Sequence, residues 1–175
     1  MTHKLLIDGQ LVAGASQLDV LNPATGLLLE RAPRASSDQA EQAVAAAKRA
    51  FPAWAAFSFD QRRTYLERLA AAIDERIDEF ARVLTLEQGK PLDQAKWEMM
   101  ATVGALSYYA QQRIETKTLR ETADERILEQ RYPLGVVAAI TPWNFPVALL
   151  MLKVAPALIT GNTVIAKPAP TTPLR

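Results

Sequence analysis

Two polar side chains lie where short apolar runs end, late in the sequence. Asn144 lies within the turn Thr141-Pro142-Trp143-Asn144-Phe145-Pro146, and Lys167 ends the run 163–167 directly before a proline. A carboxamide held rigidly by prolines and aromatic residues can donate its NH2 group to an oxygen that gains negative charge during a reaction. An ammonium at the end of a strand can donate to hydroxyl or phosphate oxygens of a ligand. These two side chains are therefore the first candidates for chemistry.

Residue type alone leaves simpler roles open for the same residues. Asn144 could satisfy backbone groups of a turn or of a helix start. Lys167 could be a solvated lysine, since lysines are common where strands reach the surface. Trp143 and Phe145 could pack in the core, as most single aromatic residues do. Spacing by itself does not decide between a ligand site and a structural turn.

The elements that must position these residues form a βαβ unit. The run 134–140 is continuous, small and apolar, which suits a strand covered on both faces. An apolar helix is predicted from about 146 to 159, followed by a Gly161-Asn162 turn and a second strand over 163–167. Ligands of such sheets bind beyond the carboxyl ends of the strands, so the two segments that carry Asn144 and Lys167 are predicted to be neighbours.

The first 30 residues carry the signals of β-hairpins, and two capping patterns follow them. Short alternating runs are separated by Asp8-Gly9 and by the turn 22–26. Ser36 with Gln39 predicts the start of a first helix, from about Asp38. Ser58 with Gln61 repeats the pattern for a second helix.

The second helix is predicted to break near Asp74 and to end at Gly89 and Pro91. The segment Glu87-Gln88-Gly89-Lys90-Pro91 is interpreted as a helix C-terminal cap without a chemical role. A third helix from Asp93 is predicted to turn one face toward the core, with the following side chains on it: Trp97, Met100, Ala101, Gly104, Ala105 and Tyr108. The polar stretch 115–124 is expected to be a loop or linker.

Composition excludes several classes of function. The 175 residues are 49% hydrophobic and 22% charged, which is ordinary for a globular protein. A net charge of +1 gives no excess to hold a nucleic acid backbone. There is no cysteine, and the only histidine is His3, so metal sites and histidine-based triads are not predicted. The apolar region 147–165 is too interrupted to span a membrane, and no secretory signal opens the chain, so a cytoplasmic protein is expected.

Four segments together resemble the aldehyde dehydrogenase superfamily, in the family's own order. They are Glu87-Gln88-Gly89-Lys90-Pro91, Tyr132-Pro133-Leu134-Gly135-Val136-Val137, Thr141-Pro142-Trp143-Asn144-Phe145-Pro146 and Lys167-Pro168-Ala169. The Pro-Trp-Asn-Phe-Pro element is far more specific than an isolated glycine-rich motif. The resemblance covers the whole chain and corresponds to the amino-terminal portion of the family. It favours functional roles for Asn144 and Lys167 over the simpler ones.

The resemblance implies an α/β fold class, with a helical and β-hairpin lead-in followed by the start of a Rossmann-like parallel sheet that is incomplete in this chain. Residues 1–123 would form the amino-terminal helices and hairpins of the cofactor-binding domain. Residues 124–133 would contribute an oligomerisation strand. Residues 134–175 would form the first, truncated βαβ unit of the NAD(P)-binding domain.

The resemblance also implies roles for the residues at the two strand ends. Asn144 would be the side-chain donor to an oxyanion. The cofactor NAD or NADP would be bound by Ile140, Thr141, Pro142, Trp143, Lys167, Ala169 and Pro170. The aldehyde tunnel would be lined by Phe145, Ala148 and Leu149. Family members with NAD preference often carry glutamate at position 170 and those with NADP preference a small hydroxyl residue, so proline leaves the choice open.

The activity implied is oxidation of an aldehyde to a carboxylic acid. Family members attack the aldehyde with a cysteine thiolate, pass hydride to the cofactor and hydrolyse the thioester with water activated by a glutamate. The sequence contains no cysteine, and the resemblance places both groups after residue 175. The chain alone is therefore predicted to be inactive. Succinic semialdehyde, another semialdehyde and aromatic or aliphatic aldehydes all stay open as substrates.

Two further expectations concern partners. The full-length form is expected to be a homodimer or homotetramer, because segment 126–132 resembles the family's oligomerisation strand. Absence of cysteine motivates an alternative function, a non-catalytic nucleotide-binding or assembly module derived from the family. Neither function predicts nucleic acid or a membrane as a partner.

Overall fold

The computed structural model describes residues 3–174, and the order of its elements follows the sequence signals closely. The strands and helices are β1 (Leu5–Ile7), β2 (Gln10–Val12), β3 (Ser16–Leu21), β4 (Leu28–Arg34), α1 (Ser37–Ala55), α2 (Phe59–Asp74), α3 (Ile77–Gln88), α4 (Leu92–Ala110), β5 (Lys117–Glu121), β6 (Arg126–Glu129), β7 (Val136–Ile140), α5 (Pro146–Ile159) and β8 (Thr163–Lys167). Three antiparallel hairpins, β1–β2, β3–β4 and β5–β6, accompany one parallel pair, β7–β8. The predicted α/β class, with a hairpin and helical lead-in before a parallel unit, is confirmed.

Side-chain caps begin the first two helices where the sequence predicts them. Ser36 accepts a hydrogen bond from the Gln39 amide while the Gln39 side chain accepts from the Ser36 amide, and Ser58 and Gln61 repeat this box. Each box satisfies two of the amides that a helix start leaves unpaired. The predicted break after Asp74 is also confirmed, because α2 ends there and α3 begins at Ile77.

Gly89 ends α3 as predicted. Its backbone is left-handed, with φ of 84°, and its amide donates to the carbonyl of Thr85 at 2.9 Å. A Cβ at this position would lie 2.9 Å from Cγ of Pro23 in the β3–β4 turn. Glycine is therefore required here both by conformation and by the closeness of the hairpin.

Helix α4 lies at the centre of the packing and buries the face opposite to the predicted one. Trp97 is 59% exposed and Tyr108 61% exposed, so the predicted core stripe faces outward. The side chains buried instead are Ala95, Glu98, Met99, Thr102, Leu106 and Ala110. Leu106 packs with Leu66 of α2 and Ile159 of α5, and Met99 packs with Leu84 of α3 and Val147 of α5. The prediction failed because packing against α2, α3 and α5 selects the face that carries Met99 and Leu106, and the pattern of apolar residues within α4 does not show which face those helices meet.

The parallel pair β7–β8 is joined through α5, as predicted. Val136 is opposite Thr163 and Ile140 is opposite Lys167, with no shift of register between them. The expectation that the first strand is covered on both faces is wrong for this chain. Ala139 is buried, whereas Ala138 and Ile140 are exposed. The helices that contact the pair are α1 and α5, and these two do not cover both faces.

Charged side chains from α2 and α4 hold the two ends of α5. At its carboxyl end, Arg62 is buried and donates from Nε to the carbonyl of Ile159 at 2.9 Å and from Nη1 to the carbonyl of Phe57. Burial lowers the pKa of this guanidinium. At its amino end, the Glu98 carboxylate accepts from two backbone amides. The crossover helix, and the turn before it, are therefore anchored in the helical lead-in.

The stretch 115–124, expected to be a loop, contains β5 instead. This strand pairs with β6 from Lys117 opposite Glu129 to Glu121 opposite Arg126, with an irregularity near Leu119. The prediction of a loop was wrong because this segment is mostly polar and charged, so its sequence lacks the apolar pattern of a buried strand. All five residues of β5 are exposed. The boundary drawn at 123/124 falls in the turn of this hairpin; the division into three regions stays a prediction.

Across residues 3–174, no helix has the length and apolar character that crossing a membrane requires.

Candidate functional site

The carboxyl ends of β7 and β8 lie side by side, as the sequence predicts. Ile140 and Lys167 are paired in register, and the Thr141 amide donates to the carbonyl of Lys167 at 3.2 Å. Thr141 is buried, whereas Ile140 is 60% exposed. The two candidate segments, 140–146 and 167–170, therefore share one edge of the strand pair.

The turn that carries Asn144 exposes its side chains and pins its backbone. Trp143 and Asn144 are exposed, and Pro146 is buried as the first residue of α5. The Asn144 carbonyl accepts a hydrogen bond from Lys90 Nζ at 2.8 Å. Within residues 3–174 the Asn144 carboxamide itself makes no hydrogen bond. The simpler role, satisfying turn or helix-start groups, is therefore not the one this side chain performs here.

A buried ion pair lies directly beneath this turn. Lys90 Nζ and Glu98 Oε2 are 2.5 Å apart, and their side chains are 6% and 0% exposed. The same ammonium lies 3.9 Å from the ring centroid of Phe145, a distance at which the ring face attracts a cation. Lys90 thus contacts a carboxylate, a carbonyl and an aromatic ring, three groups that suit its charge.

Glu98 replaces the helix cap that the turn lacks. Phe145 occupies the N-cap position of α5 and offers no side-chain hydrogen bond. Glu98 Oε1 accepts instead from the amides of Val147 at 2.9 Å and Ala148 at 3.2 Å. A carboxylate at the amino end of a helix is favoured both by these orphan amides and by the helix dipole. Capping from α4 leaves the turn's own residues free to face outward.

The segment after β8 has one exposed and one buried side. Lys167, Pro168 and Pro170 are exposed, whereas Ala169 is buried. Lys167 Nζ lies 3.5 Å from the carbonyl of its neighbour Pro168, so the ammonium can reach a ligand. Farther along, the Leu174 amide donates at 3.0 Å to Oε2 of Glu87, which is buried in the last turn of α3.

An apolar wall borders the turn on the side of α5 and α4. Phe145 is 39% exposed, and Ala148 and Leu149 are half-buried. The ring of Trp97 meets the ring of Phe145 edge to face, with centroids 6.4 Å apart. Residues 145, 148 and 149 are three and four positions apart at the start of α5 and so share one helix face; that they line an aldehyde tunnel stays a prediction.

Three residues of this site, Glu87, Lys90 and Glu98, were missed by the sequence interpretation. The segment 87–91 was predicted to be a helix cap without a chemical role, and no role was predicted for Glu98. A usable signal existed, since Glu98 shares a helix face with Ala95, Met99 and Thr102, and a glutamate among small buried residues requires a partner. Residues 3–174 contain no group of three or more acidic or histidine side chains that could hold a metal ion.

Comparison with known proteins adds an independent observation. The model of the Aldehyde dehydrogenase family matches residues 11–175. The chain is 42% identical over 159 residues to succinate-semialdehyde dehydrogenase [NADP(+)] of Escherichia coli strain K12, covering 89% of this chain and 33% of that protein.

Solved structures give the same relationship. An NADP-dependent enzyme of Escherichia coli superposes with a TM-score of 0.94 at 40% identity, covering 98% of this chain and 37% of that one. PnpE in complex with nicotinamide adenine dinucleotide has a TM-score of 0.94 at 37% identity, covering 99% and 37%. The chain therefore spans about a third of the length of these relatives.

Proposed function

The chain belongs to the aldehyde dehydrogenase family, and from this premise we propose that the protein oxidises an aldehyde to a carboxylic acid with NAD or NADP. Within it, residues 140–149 and 167–170 contribute the oxyanion donor, one wall of the aldehyde tunnel and one side of the cofactor site. The observation that carries the proposal is the pinned backbone and free carboxamide of Asn144.

Asn144 has the properties of a preorganised donor. When a thiolate attacks an aldehyde carbon, the carbonyl oxygen becomes an oxyanion, and a fixed NH2 group stabilises it without reorganising during the reaction. Lys90 holds the carbonyl of Asn144, and Glu98 holds the next two amides of α5. The sequence contains no cysteine, so the thiolate must come from outside these 175 residues, and the chain by itself is proposed to be inactive.

The exposed residues at the sheet edge fit a nicotinamide dinucleotide. Ile140 and Trp143 offer apolar surface on which a flat ring can lie, and Thr141 and Pro142 connect them. Lys167 offers an exposed ammonium for ribose hydroxyls, next to Ala169 and Pro170. When bound, the cofactor accepts hydride from the carbon of the substrate. Pro170 supplies neither a carboxylate nor a hydroxyl, so NAD and NADP stay equal candidates.

The substrate is proposed to be a semialdehyde or an aromatic aldehyde. Phe145, Ala148 and Leu149 form an apolar wall that suits the carbon chain or ring of such a molecule. A relative named for succinate semialdehyde supports the first class. An assay panel of semialdehydes, aromatic and aliphatic aldehydes ranks them by kcat/KM.

The complete protein is further proposed to be a cytoplasmic homodimer or homotetramer. The β5–β6 hairpin supports assembly, because it presents exposed apolar side chains such as Leu119 and Ile127 beside an open strand edge. A cytoplasmic location follows from the proposed use of NAD or NADP, which are supplied and recycled inside the cell.

The decisive experiment measures formation of the reduced cofactor in the protein as its source produces it. Asn144→Ala is expected to lower kcat by about 10²- to 10³-fold, the size of losing one oxyanion donor. Asn22→Ala is the matched control, since the Asn22 carboxamide oxygen accepts from the Ala24 amide in the β3–β4 turn, and the substitution should leave kcat unchanged. An unchanged kcat in Asn144→Ala would refute the role of Asn144, and no aldehyde-dependent reduction at all would favour the alternative, a nucleotide-binding or assembly module.

A further inference from the structure

We propose that three buried side chains, Glu87, Lys90 and Glu98, named here the α3–α4 corner, position both loops of the site: the Asn144 turn through Lys90 and Glu98, and the segment 168–174 through Glu87. The inference deepens the proposed function and rests on it for the role of Asn144. The corner spans the last turn of α3, Gly89, and the first two turns of α4. Lys90 and Glu98 are buried beneath the Asn144 turn and Glu87 is buried in the last turn of α3, so the role proposed for these three side chains is positioning.

The first arm of the corner contacts the Asn144 turn and the start of α5 at four residues, 144, 145, 147 and 148. Lys90 Nζ holds the Asn144 carbonyl at 2.8 Å and lies 3.9 Å from the Phe145 ring centroid. Glu98 Oε1 holds the amides of Val147 and Ala148. Because the two side chains also bond to each other at 2.5 Å, a shift of one moves the other. The backbone that carries the Asn144 side chain is thereby held from below, at its own carbonyl and at the amides of Val147 and Ala148.

This remote cap explains why the turn can carry the residues it does. A helix start is ordinarily satisfied by serine, threonine or aspartate at the N-cap. Here Phe145 occupies the N-cap, and its ring instead covers Lys90 and meets Trp97. Moving the capping carboxylate to α4 frees position 144 and position 145 for side chains that face a ligand.

The second arm acts on the loop that follows β8. Glu87 lies three residues before Lys90, is buried, and accepts from the Leu174 amide at 3.0 Å. That loop is closed on itself by a hydrogen bond from the Thr172 amide to the Ala169 carbonyl at 3.1 Å. Glu87 therefore fixes the carboxyl end of the segment that carries Lys167, Ala169 and Pro170.

The corner is stiff enough for this role. Gly89 is held in a left-handed conformation against Pro23, and Pro91 begins α4 with its fixed φ of −53°. Glu87 and Lys90 are therefore held at a set separation, and with them the two loops. If Lys90 and Glu87 only stabilised the fold, their contacts would not need to end on two loops at the same edge of the β7–β8 pair.

The test is a double-mutant cycle on kcat, in the protein as its source produces it. Lys90→Met/Glu98→Gln removes the ion pair without leaving a buried charge, and the glutamine at position 98 keeps an oxygen for the two amides. We expect kcat to fall by about 10- to 100-fold, the effect of a donor displaced by about an ångström. In the Asn144→Ala background the same change should cost less than about twofold, because both changes act through one group.

The control pair is Lys96→Met/Asp78→Asn. Lys96 Nζ and Asp78 Oδ1 also join α3 and α4, at 2.7 Å, but they are exposed and contact neither loop. This variant should leave kcat unchanged in both backgrounds. Equal losses of kcat from Lys90→Met/Glu98→Gln with and without Asn144 would overturn the inference, since a merely structural role acts independently of the donor.

A readout that needs no activity separates this inference from the proposed function. Hydrogen exchange of the peptide 141–149 should be about tenfold faster in Lys90→Met/Glu98→Gln and unchanged in the control pair. If Asn144→Ala does not change kcat, the proposed role of Asn144 is wrong. The rate of hydrogen exchange in 141–149 then tests by itself whether the corner positions the turn. Unchanged exchange in 141–149 would then overturn this positioning.

The second arm has its own signature. Glu87→Met keeps a similar volume and removes the acceptor of the Leu174 amide. We expect the KM for the cofactor to rise by about tenfold, with a smaller effect on kcat and on the KM for the aldehyde. A uniform loss in all three constants would contradict separate arms and would overturn the assignment of Glu87 to the cofactor loop.

Discussion

The carboxyl edge of β7 and β8 and the β5–β6 hairpin are built from similarly short strands, yet their side chains are satisfied in opposite ways. At the β7–β8 edge, buried charges from another part of the chain hold the turn, and Lys90 and Glu98 are nearly inaccessible to solvent. In the hairpin, every residue of β5 is exposed, including Leu119 at 62%. Its ion pairs, such as Arg120 with Glu125, are local and exposed.

The difference shows which of the two regions is held in place by contacts within the chain. A turn fixed by long-range contacts keeps its geometry without a ligand, which is what a preorganised donor requires. A two-stranded hairpin in water is only marginally stable, and its apolar side chains gain from burial against another surface. The turn at the β7–β8 edge is therefore held by contacts within the chain, whereas the β5–β6 hairpin leaves apolar side chains exposed.

The largest expected effect on stability tests the first half of this comparison. Lys90→Met alone leaves the Glu98 carboxylate buried without its cation, and should lower the free energy of unfolding by about 3 to 5 kcal/mol. Urea denaturation measures it. Lys90→Met combined with Glu98→Gln should recover part of the loss, because no buried charge is left. A cost for Lys90→Met as small as that of an exposed substitution would break the contrast between the two regions.

An intermediate effect concerns the hairpin. Leu119→Glu should change the free energy of unfolding of the chain by no more than about 0.5 kcal/mol, because this side chain is 62% exposed. Self-association should weaken by about tenfold or more, the value of one leucine buried at an interface. Sedimentation compares the oligomeric state of the Leu119→Glu variant with that of the unaltered protein, each as its source produces it.

The control for the hairpin is Leu6→Glu, in the β1–β2 hairpin, where the leucine is 70% exposed. It should leave assembly unchanged. A large loss of stability in Leu119→Glu would show that the hairpin belongs to the core of the chain, and equal effects on assembly from both substitutions would refute a specific interface.

The smallest effect comes from the exposed counterpart of the buried pair. The hydrogen bond and charge of Lys96 lower the pKa of the Asp78 carboxyl. A carboxyl whose pKa is lower in the folded state stabilises that state above its unfolded pKa, and the contribution is lost as pH falls through the folded pKa. Asp78→Asn should therefore be slightly destabilising near neutral pH and neutral in acid, and salt should reduce the difference.

Denaturation of Asp78→Asn at neutral and acidic pH checks this sign. If Asp78→Asn lowered the free energy of unfolding as much as Lys90→Met, burial would not determine how much an ion pair stabilises this part of the chain. The contrast between the exposed pair and the buried pair of the corner would then be refuted.

Sequence predicted the elements whose causes are local. Ser36 and Ser58 cap their helices through residues three positions away, and Gly89 ends α3 through its own backbone. The strands on either side of α5 also followed from apolar runs and turn residues, so the neighbourhood of Asn144 and Lys167 was predictable. Interactions within three or four residues depend on residue type alone, and a sequence displays them directly.

Tertiary structure alone decided the rest. The buried face of α4 is chosen by the three helices that pack around it, so Glu98 and Met99 are buried whereas Trp97 is exposed. The contacts that hold the Asn144 turn join residues 54 and 49 positions apart, Lys90 with Asn144 and Glu98 with Val147. The amino acid sequence determined that a carboxamide and an ammonium lie at one sheet edge. Which charges support them depends on distances in space, because a buried lysine and glutamate are stable only where the fold brings them together.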